Sequence, residues 1–255
     1  MSLALLEKRD GYAIVTLNRP DEMNALSKQL RADIITAFAD CQADENIRVI
    51  ILTGNGRAFC AGFDLKEMAS SDQDNTAEEV GNDMAKAVDG FDGVIIGAIN
   101  GHAVTGGFEL ALACDVLIAS ENARFADTHA RVGILPGWGL SQKLPRMIGL
   151  SRAKEISFTG APVFAQQALD WGIVNHVVPA EELLTKAAEL AENMCACVPH
   201  ILKQYKPLIE DGYNMPYKDA LIWEEQQAIE SAKQMSAHLM QQRRENVMDK
   251  GRTEK

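Results

Sequence analysis

Two stretches of this chain, Val49–Gly62 (VIILTGNGRAFCAG) and Val94–Gly107 (VIIGAINGHAVTGG), align without a gap at an offset of 45 residues. Val49/Val94, Ile50/Ile95, Ile51/Ile96, Asn55/Asn100, Gly56/Gly101, Ala58/Ala103 and Gly62/Gly107 are identical pairs. A self-similarity of this period marks a repeated supersecondary unit. In each copy a β-branched run reads as a buried strand and Asn-Gly as its turn. A short extended piece follows, and then small residues that open a helix. The chain is therefore constrained to strands that alternate with helices, an α/β architecture. The same alignment sets Ala61 against Gly106.

The remaining segments continue the alternation. Tyr12–Leu17 reads as a strand stopped by Asn-Arg-Pro. Ser27 is an N-cap before Leu30, Ile34, Phe38 and Cys41, which recur at helical spacing. Further strands are expected at Val49–Leu52, Val94–Ile99, Val116–Ala119 and Ile173–Val178. Further helices are expected at Gly106–Cys114, Ser151–Thr159 and Ala165–Trp171, the last closed by Gly172. Residues 69–90 read as a mobile, solvated stretch with a helix in its second half, and Asp127–Leu140 as loop. From Glu181 the pattern is helical, with breaks near Pro199, Pro207 and Pro216. Two regions are expected: a core over 1–195 and a helical region over 196–255.

Bulk properties narrow the function. A chain of 255 residues with 47% hydrophobic and 24% charged residues is an ordinary globule with room for a large core. It has no apolar run of membrane-spanning length and no basic-then-apolar leader, so a cytoplasmic location away from membranes is expected. The five cysteines are odd in number and sit mostly among apolar neighbours, as small core residues do. A net charge of −11 disfavours nucleic acid as a partner and leaves any phosphate to local basic residues and backbone amides.

Chemistry concentrates in the second repeat. Glu109 stands in an apolar helix three residues after Gly106 and shares the face of its first turn. A buried carboxylate needs a partner or a task. The first amides of a helix lack intrahelical acceptors, and small residues let a ligand come close. Two such N–H groups, from Ala61 and Gly106, would converge on one oxygen and stabilise a developing oxyanion. Glu109 beside them would move a proton next to a polarised carbonyl. A plainer reading of the same residues also stands: the glycines allow tight packing and Glu109 caps its helix. Nucleotide motifs are absent, since Gly54-Asn55-Gly56 continues into neither a P-loop nor a dinucleotide fingerprint. No Gly-x-Ser-x-Gly elbow and no zinc-spaced histidine pair occurs, so no metal site is expected.

FCAGFDLKEM (Phe59–Met68) and NGHAVTGGFELALACD (Asn100–Asp115) resemble the two signature stretches of the crotonase, or enoyl-CoA hydratase/isomerase, family. Ile14–Leu26, Ile134–Gly149 and Phe158–Pro179 fit the same family in the same order. The resemblance implies a spiral of ββα units with a helical C-terminal region that builds homotrimers, often paired into hexamers. It implies an acyl-CoA thioester as substrate and no permanently bound cofactor, coenzyme A arriving as part of the substrate. Ala61 and Gly106 then match the oxyanion donors, and Glu109 the first catalytic glutamate. Met23, Ala25, Leu26, Ala61, Gly62, Phe63, Asp64, Leu65, Gly106 and Gly107 fall where the family lines its CoA site. Arg57 and Lys66 are candidate phosphate neighbours, with solvated surface charges as the other reading. Phe63, Met68 and Met84 are candidate acyl contacts, with core packing as the other reading.

The departure is at the second acid. Where hydratases carry another glutamate, FADTHARVG places His129. Its ordinary pKa near 6.5 suits proton exchange at neutral pH, and Asp127, two residues earlier, could reach in from the same loop; the other reading of His129 is a neutral, hydrogen-bonded spacer in a site that runs on Glu109 alone. Trp138 is expected to pack against that loop, with walling of the acyl pocket as the other reading. Hydration of a trans-2-enoyl-CoA is the leading expectation. The altered second acid keeps isomerase, other lyase or hydrolase chemistry open, and a non-catalytic acyl-CoA-binding protein is the alternative of another class.

Overall fold

The computed structural model describes residues 2–70 and 76–233, with Ser236, Met240, Gln241, Arg243, Arg244 and Met248 beyond them. Strands β1 (Ala4–Lys8) and β2 (Tyr12–Leu17) pair antiparallel, and a 3-10 turn at Pro20–Glu22 leads to helix α1 (Lys28–Gln42). The first repeat supplies β3 (Val49–Gly54), β4 (Ala58–Cys60), α2 (Leu65–Ser70) and α3 (Thr76–Asp89). The second supplies β5 (Val94–Ile99), β6 (His102–Val104) and α4 (Gly106–Leu112). A third unit of the same plan follows: β7 (Val116–Ser120), β8 (Arg124–Ala126) and the one-turn helix α5 (His129–Val132). Then come α6 (Leu140–Ile148), α7 (Leu150–Thr159), β9 (Val163–Phe164), α8 (Ala165–Trp171) and β10 (His176–Val178). Helices α9 (Leu183–Cys195), α10 (Pro199–Asn214) and α11 (Tyr217–Ala232) close the described chain. Residues 1–202 and 203–255 form two compact units.

Each ββα unit adds one strand to each of two sheets. The larger runs β1-β2-β3-β5-β7-β10 and the smaller β4-β6-β8-β9. The 45-residue echo is the register of the larger sheet: Val49 lies beside Val94, Ile50 beside Ile95 and Ile51 beside Ile96 in parallel pairing. Both faces of these strands are covered, which explains their unbroken apolar runs. Ile50, Leu52 and Ile95 point into the main core with Leu30, Ile34 and Phe38 of α1. Val49, Ile51 and Ile96 point the other way, onto Leu183, Ala187 and Ala191 of α9. The alanines let that helix lie close on the sheet. Ser27 caps α1 as its sequence requires, its hydroxyl accepting from Leu30 N at 3.2 Å.

Several expected boundaries move. The strand expected over Ile173–Val178 spans only His176–Val178, because Ile173 and Val174 donate to the Ala168 carbonyl and finish the cap of α8. A single helical turn, α5, interrupts the loop expected over Asp127–Leu140. The break expected at Pro207 does not occur. Pro207 stands inside α10 on an exposed position, and the helix runs through it. Short β1, β8 and β9 carried too little alternation to be read as strands. Within the stretch expected to be mobile over 69–90, α3 fills the second half as anticipated, and 71–75 lie outside the described residues.

Candidate active site

The segment after β2 is folded against the first repeat by one buried side chain. Asn24 Oδ1 accepts from Arg19 N at 2.8 Å, and its Nδ2 donates to the carbonyls of Asn55 (3.0 Å) and Ala58 (2.8 Å). Met23 and Asn24 both adopt positive φ to make that turn. The chain then runs beside residues 61–63, with Leu26 N donating to Gly62 O at 2.8 Å and Leu26 bridging to Phe63. Arg19 ties the pair together, donating to Asp64 at 2.6 Å and to the Ala25 carbonyl at 3.1 Å. Asp64 in turn accepts from Lys66 N and Glu67 N and caps α2. Met23, Ala25, Leu26, Ala61, Gly62, Phe63 and Asp64 are thus brought together. Leu26 is wholly buried in the core, whereas Leu65 is exposed. Arg19 and Asn24 were missed as positioning residues; Asn-Arg-Pro signalled only a turn.

Expected oxyanion donor Ala61 is corrected by the structure, because its N–H donates to the Met23 carbonyl at 3.0 Å. The reason is a slip in register. The repeats are offset by 94 − 49 = 45 residues in the larger sheet. In the smaller sheet the offset is 102 − 58 = 44 at Ala58 and 103 − 60 = 43 at Cys60, across a bulge. At an offset of 43 the partner of Gly106 is Phe63. A methyl group placed on Gly106 would lie 3.7 Å from the Phe63 nitrogen, 3.5 Å from Gly62 Cα and 3.5 Å from Trp138 Cζ3. Among the described residues neither the Phe63 nor the Gly106 N–H donates to a protein acceptor.

Close approach of the repeats depends on two glycines. Gly62 has φ +86°, and a Cβ there would meet Val104 O at 2.9 Å, while one on Gly107 would run into the Cys60 carbonyl. Thr105, just before α4, holds φ 55° and ψ −112°, costly for a β-branched residue. It is held there by its N–H to Ala126 O at 2.8 Å and by a hydroxyl pair with Thr128.

Glu109 is 2% exposed and fully partnered. Its Oε1 accepts from Trp138 N at 2.7 Å, and its Oε2 lies 3.4 Å from His129 Nε2. His129 opens α5, as Gly106 opens α4, so consecutive units deliver the two groups to one place. On its other side His129 Nδ1 meets Asp127 Oδ1 at 2.7 Å, and the same oxygen accepts the His129 backbone N–H at 3.1 Å. Burial works against the imidazolium, but hydrogen bonds to Asp127 and Glu109 and their negative charge outweigh it and raise His129 to about 9. Burial also pushes the Asp127 carboxyl up, and hydrogen bonds from His129 and Ser157 reverse this and hold it below the usual range. At neutral pH this leaves His129 as an imidazolium, an acid set beside the Glu109 carboxyl.

Trp138 packs its ring on Phe63 at 5.0 Å and so walls the space over Gly106. Met84 is wholly buried in the core, Met68 is 38% exposed, and Lys66 pairs with Glu22 at 3.1 Å.

The family model for enoyl-CoA hydratase/isomerase matches residues 7–250. The chain is 44% identical over 218 residues to an Arabidopsis thaliana protein named "Probable enoyl-CoA hydratase 1, peroxisomal", covering 86% of this chain and 82% of that one. It is 35% identical to the 2,3-dehydroadipyl-CoA hydratase of Escherichia coli, covering 89% of each. The crystal structure of an enoyl-CoA hydratase from Bacillus anthracis superposes with a TM-score of 0.88 at 35% identity over 96% of both chains. The chain belongs to the enoyl-CoA hydratase/isomerase family.

Proposed function

We propose that this chain is an enoyl-CoA hydratase, adding water across the C2–C3 double bond of a trans-2-enoyl-CoA. The observation that carries the reading is Glu109 and His129, buried 3.4 Å apart beside two unpaired amides. Glu109 takes a proton from water while the water oxygen bonds to C3. The π electrons move toward the thioester, whose oxygen gains negative charge and is held by the N–H groups of Phe63 and Gly106. C2 then takes the proton from Nε2 of His129. One proton and one hydroxide have been added, and no cofactor beyond the coenzyme A of the substrate is needed.

Coenzyme A lies, on this reading, along Met23–Leu26 and Ala61–Leu65, with Gly106 and Gly107 under the thioester. Exposed Arg57 is the nearer candidate for its phosphates, since Lys66 already has Glu22. Residues 1–195 form the catalytic core and 196–255 the oligomerisation region of a homotrimer, or of a hexamer made from two. The apolar side chains that α10 and α11 expose, Tyr205, Ile209 and Tyr213 with Leu221, Ile222 and Ile229, support that assembly. A cytoplasmic location accords with cysteines that are all unbridged. Among the described residues no helix is long and apolar enough to cross a membrane.

The test is a panel of enoyl-CoA thioesters of graded chain length, followed by loss of the enoyl absorbance and by mass spectrometry. Wild type hydrates at least one of them, and Glu109→Gln lowers kcat by roughly a thousandfold. Full-rate hydration by Glu109→Gln would refute the mechanism. Tight acyl-CoA binding without turnover would make the chain a binding protein.

A further inference from the structure

We infer that Asp127 is a positioning residue. By holding Nδ1–H of His129 it makes Nε2 the nitrogen that protonates C2 and then recovers from Glu109 the proton taken from water. This rests on the hydratase reading above.

An imidazole has two nitrogens, and a hydrogen bond at one decides what the other can do. Here the choice is made by a single oxygen. Asp127 Oδ1 accepts both the ring Nδ1–H, at 2.7 Å, and the backbone N–H of the same residue, at 3.1 Å. Asp127 thus ties down both the ring and the backbone of His129, and Nε2 is left facing Glu109 Oε2 at 3.4 Å. Asp127 is itself fixed, 2% exposed and hydrogen-bonded by Ser157 on α7. The charged groups facing His129 are Asp127 from its own loop and Glu109 from α4. Arg131, two residues on, is turned to the Thr159 carbonyl on α7.

The proton balance closes inside this trio. During hydration the Nε2–H bond breaks as C2–H forms, leaving a neutral imidazole with Nδ1–H still on Asp127. Glu109 is left protonated by the water it activated. The Glu109 O–H bond then breaks as Nε2–H reforms across the direct contact. Both groups return to their starting charge with no proton drawn from solvent. Asp127 also sets a negative charge against the imidazolium, on the side of the ring away from Glu109, and so favours the charged form.

Asp127→Asn is the test, read in three ways. In wild type kcat holds into alkaline pH until the imidazolium is lost. In Asp127→Asn kcat falls about a hundredfold, the alkaline limb moves down by a pH unit or more, and KM stays within about threefold. In a His129→Gln background Asp127→Asn adds less than about threefold, because nothing is left to orient. Nitrogen-15 NMR of the His129 ring shows Nδ1 staying protonated while Nε2 titrates. An unchanged kcat and alkaline limb in Asp127→Asn, or an undiminished effect on His129→Gln, would overturn the proposal. If Asp127→Asn does not fold, Ser157→Ala decides, by a smaller downward shift of the limb or by none. The NMR result separates the two readings. Absence of hydration in wild type removes the reaction, whereas a titrating Nδ1 removes the role of Asp127 even in an active hydratase.

Discussion

Burying His129 between Asp127 and Glu109 makes folding itself sensitive to pH. Its folded value of about 9 lies above its ordinary 6.5. A raised value means that the stabilisation is fully present below pH 6.5 and is lost as pH rises through 9. The shift corresponds to something on the order of 3 kcal/mol. Denaturant midpoints of wild type should therefore decline between pH 6.5 and 9, and those of His129→Gln should stay level across that window. A level wild-type profile would show that His129 is neutral in the fold. At this scale the sequence was half legible. The family motifs named Glu109, Gly106 and His129 directly. Which nitrogen of His129 is free depends on one oxygen of Asp127, a contact that residue types cannot specify. Ala61 was misassigned because a gapless alignment has no place for the bulge between Ala58 and Cys60.

Helix α4 begins at a glycine that the protein does not need for packing. A methyl group on Gly106 would stand at ordinary van der Waals distances from its neighbours, and its φ is not in the left-handed region. Alanine also has the better helix propensity. Gly106→Ala should therefore melt at the wild-type temperature or slightly above, while kcat/KM for an enoyl-CoA falls about tenfold or more because the methyl fills the thioester's place. A lower melting temperature would show that Gly106 serves the fold, and unchanged kinetics would place the thioester elsewhere. Core strands and Ser27-capped α1 were readable because period and cap chemistry are local signals. The strained Thr105 turn was not. Its φ of 55° exists because Ala126 and Thr128, from the next unit, hold it there.

For the whole molecule the repeat was the legible part, since its offset is the strand register itself. Assembly is where prediction is most direct. Sedimentation velocity at micromolar concentration should give a mass of three or six chains. A monomer would leave the apolar side chains of α10 and α11 without their proposed purpose. A last consequence follows from where the paired donors come from. In the proposed mechanism both belong to the main chain, at Phe63 and Gly106, so the grip on the thioester oxygen would be independent of which side chain stands at position 63. Meanwhile the Phe63 ring lies against Trp138 and lines the space beside that grip. On that reading, selectivity for the acyl group and the power to activate it would be separately heritable. The pocket can be recut for another chain at position 63 while the reaction it serves is left alone.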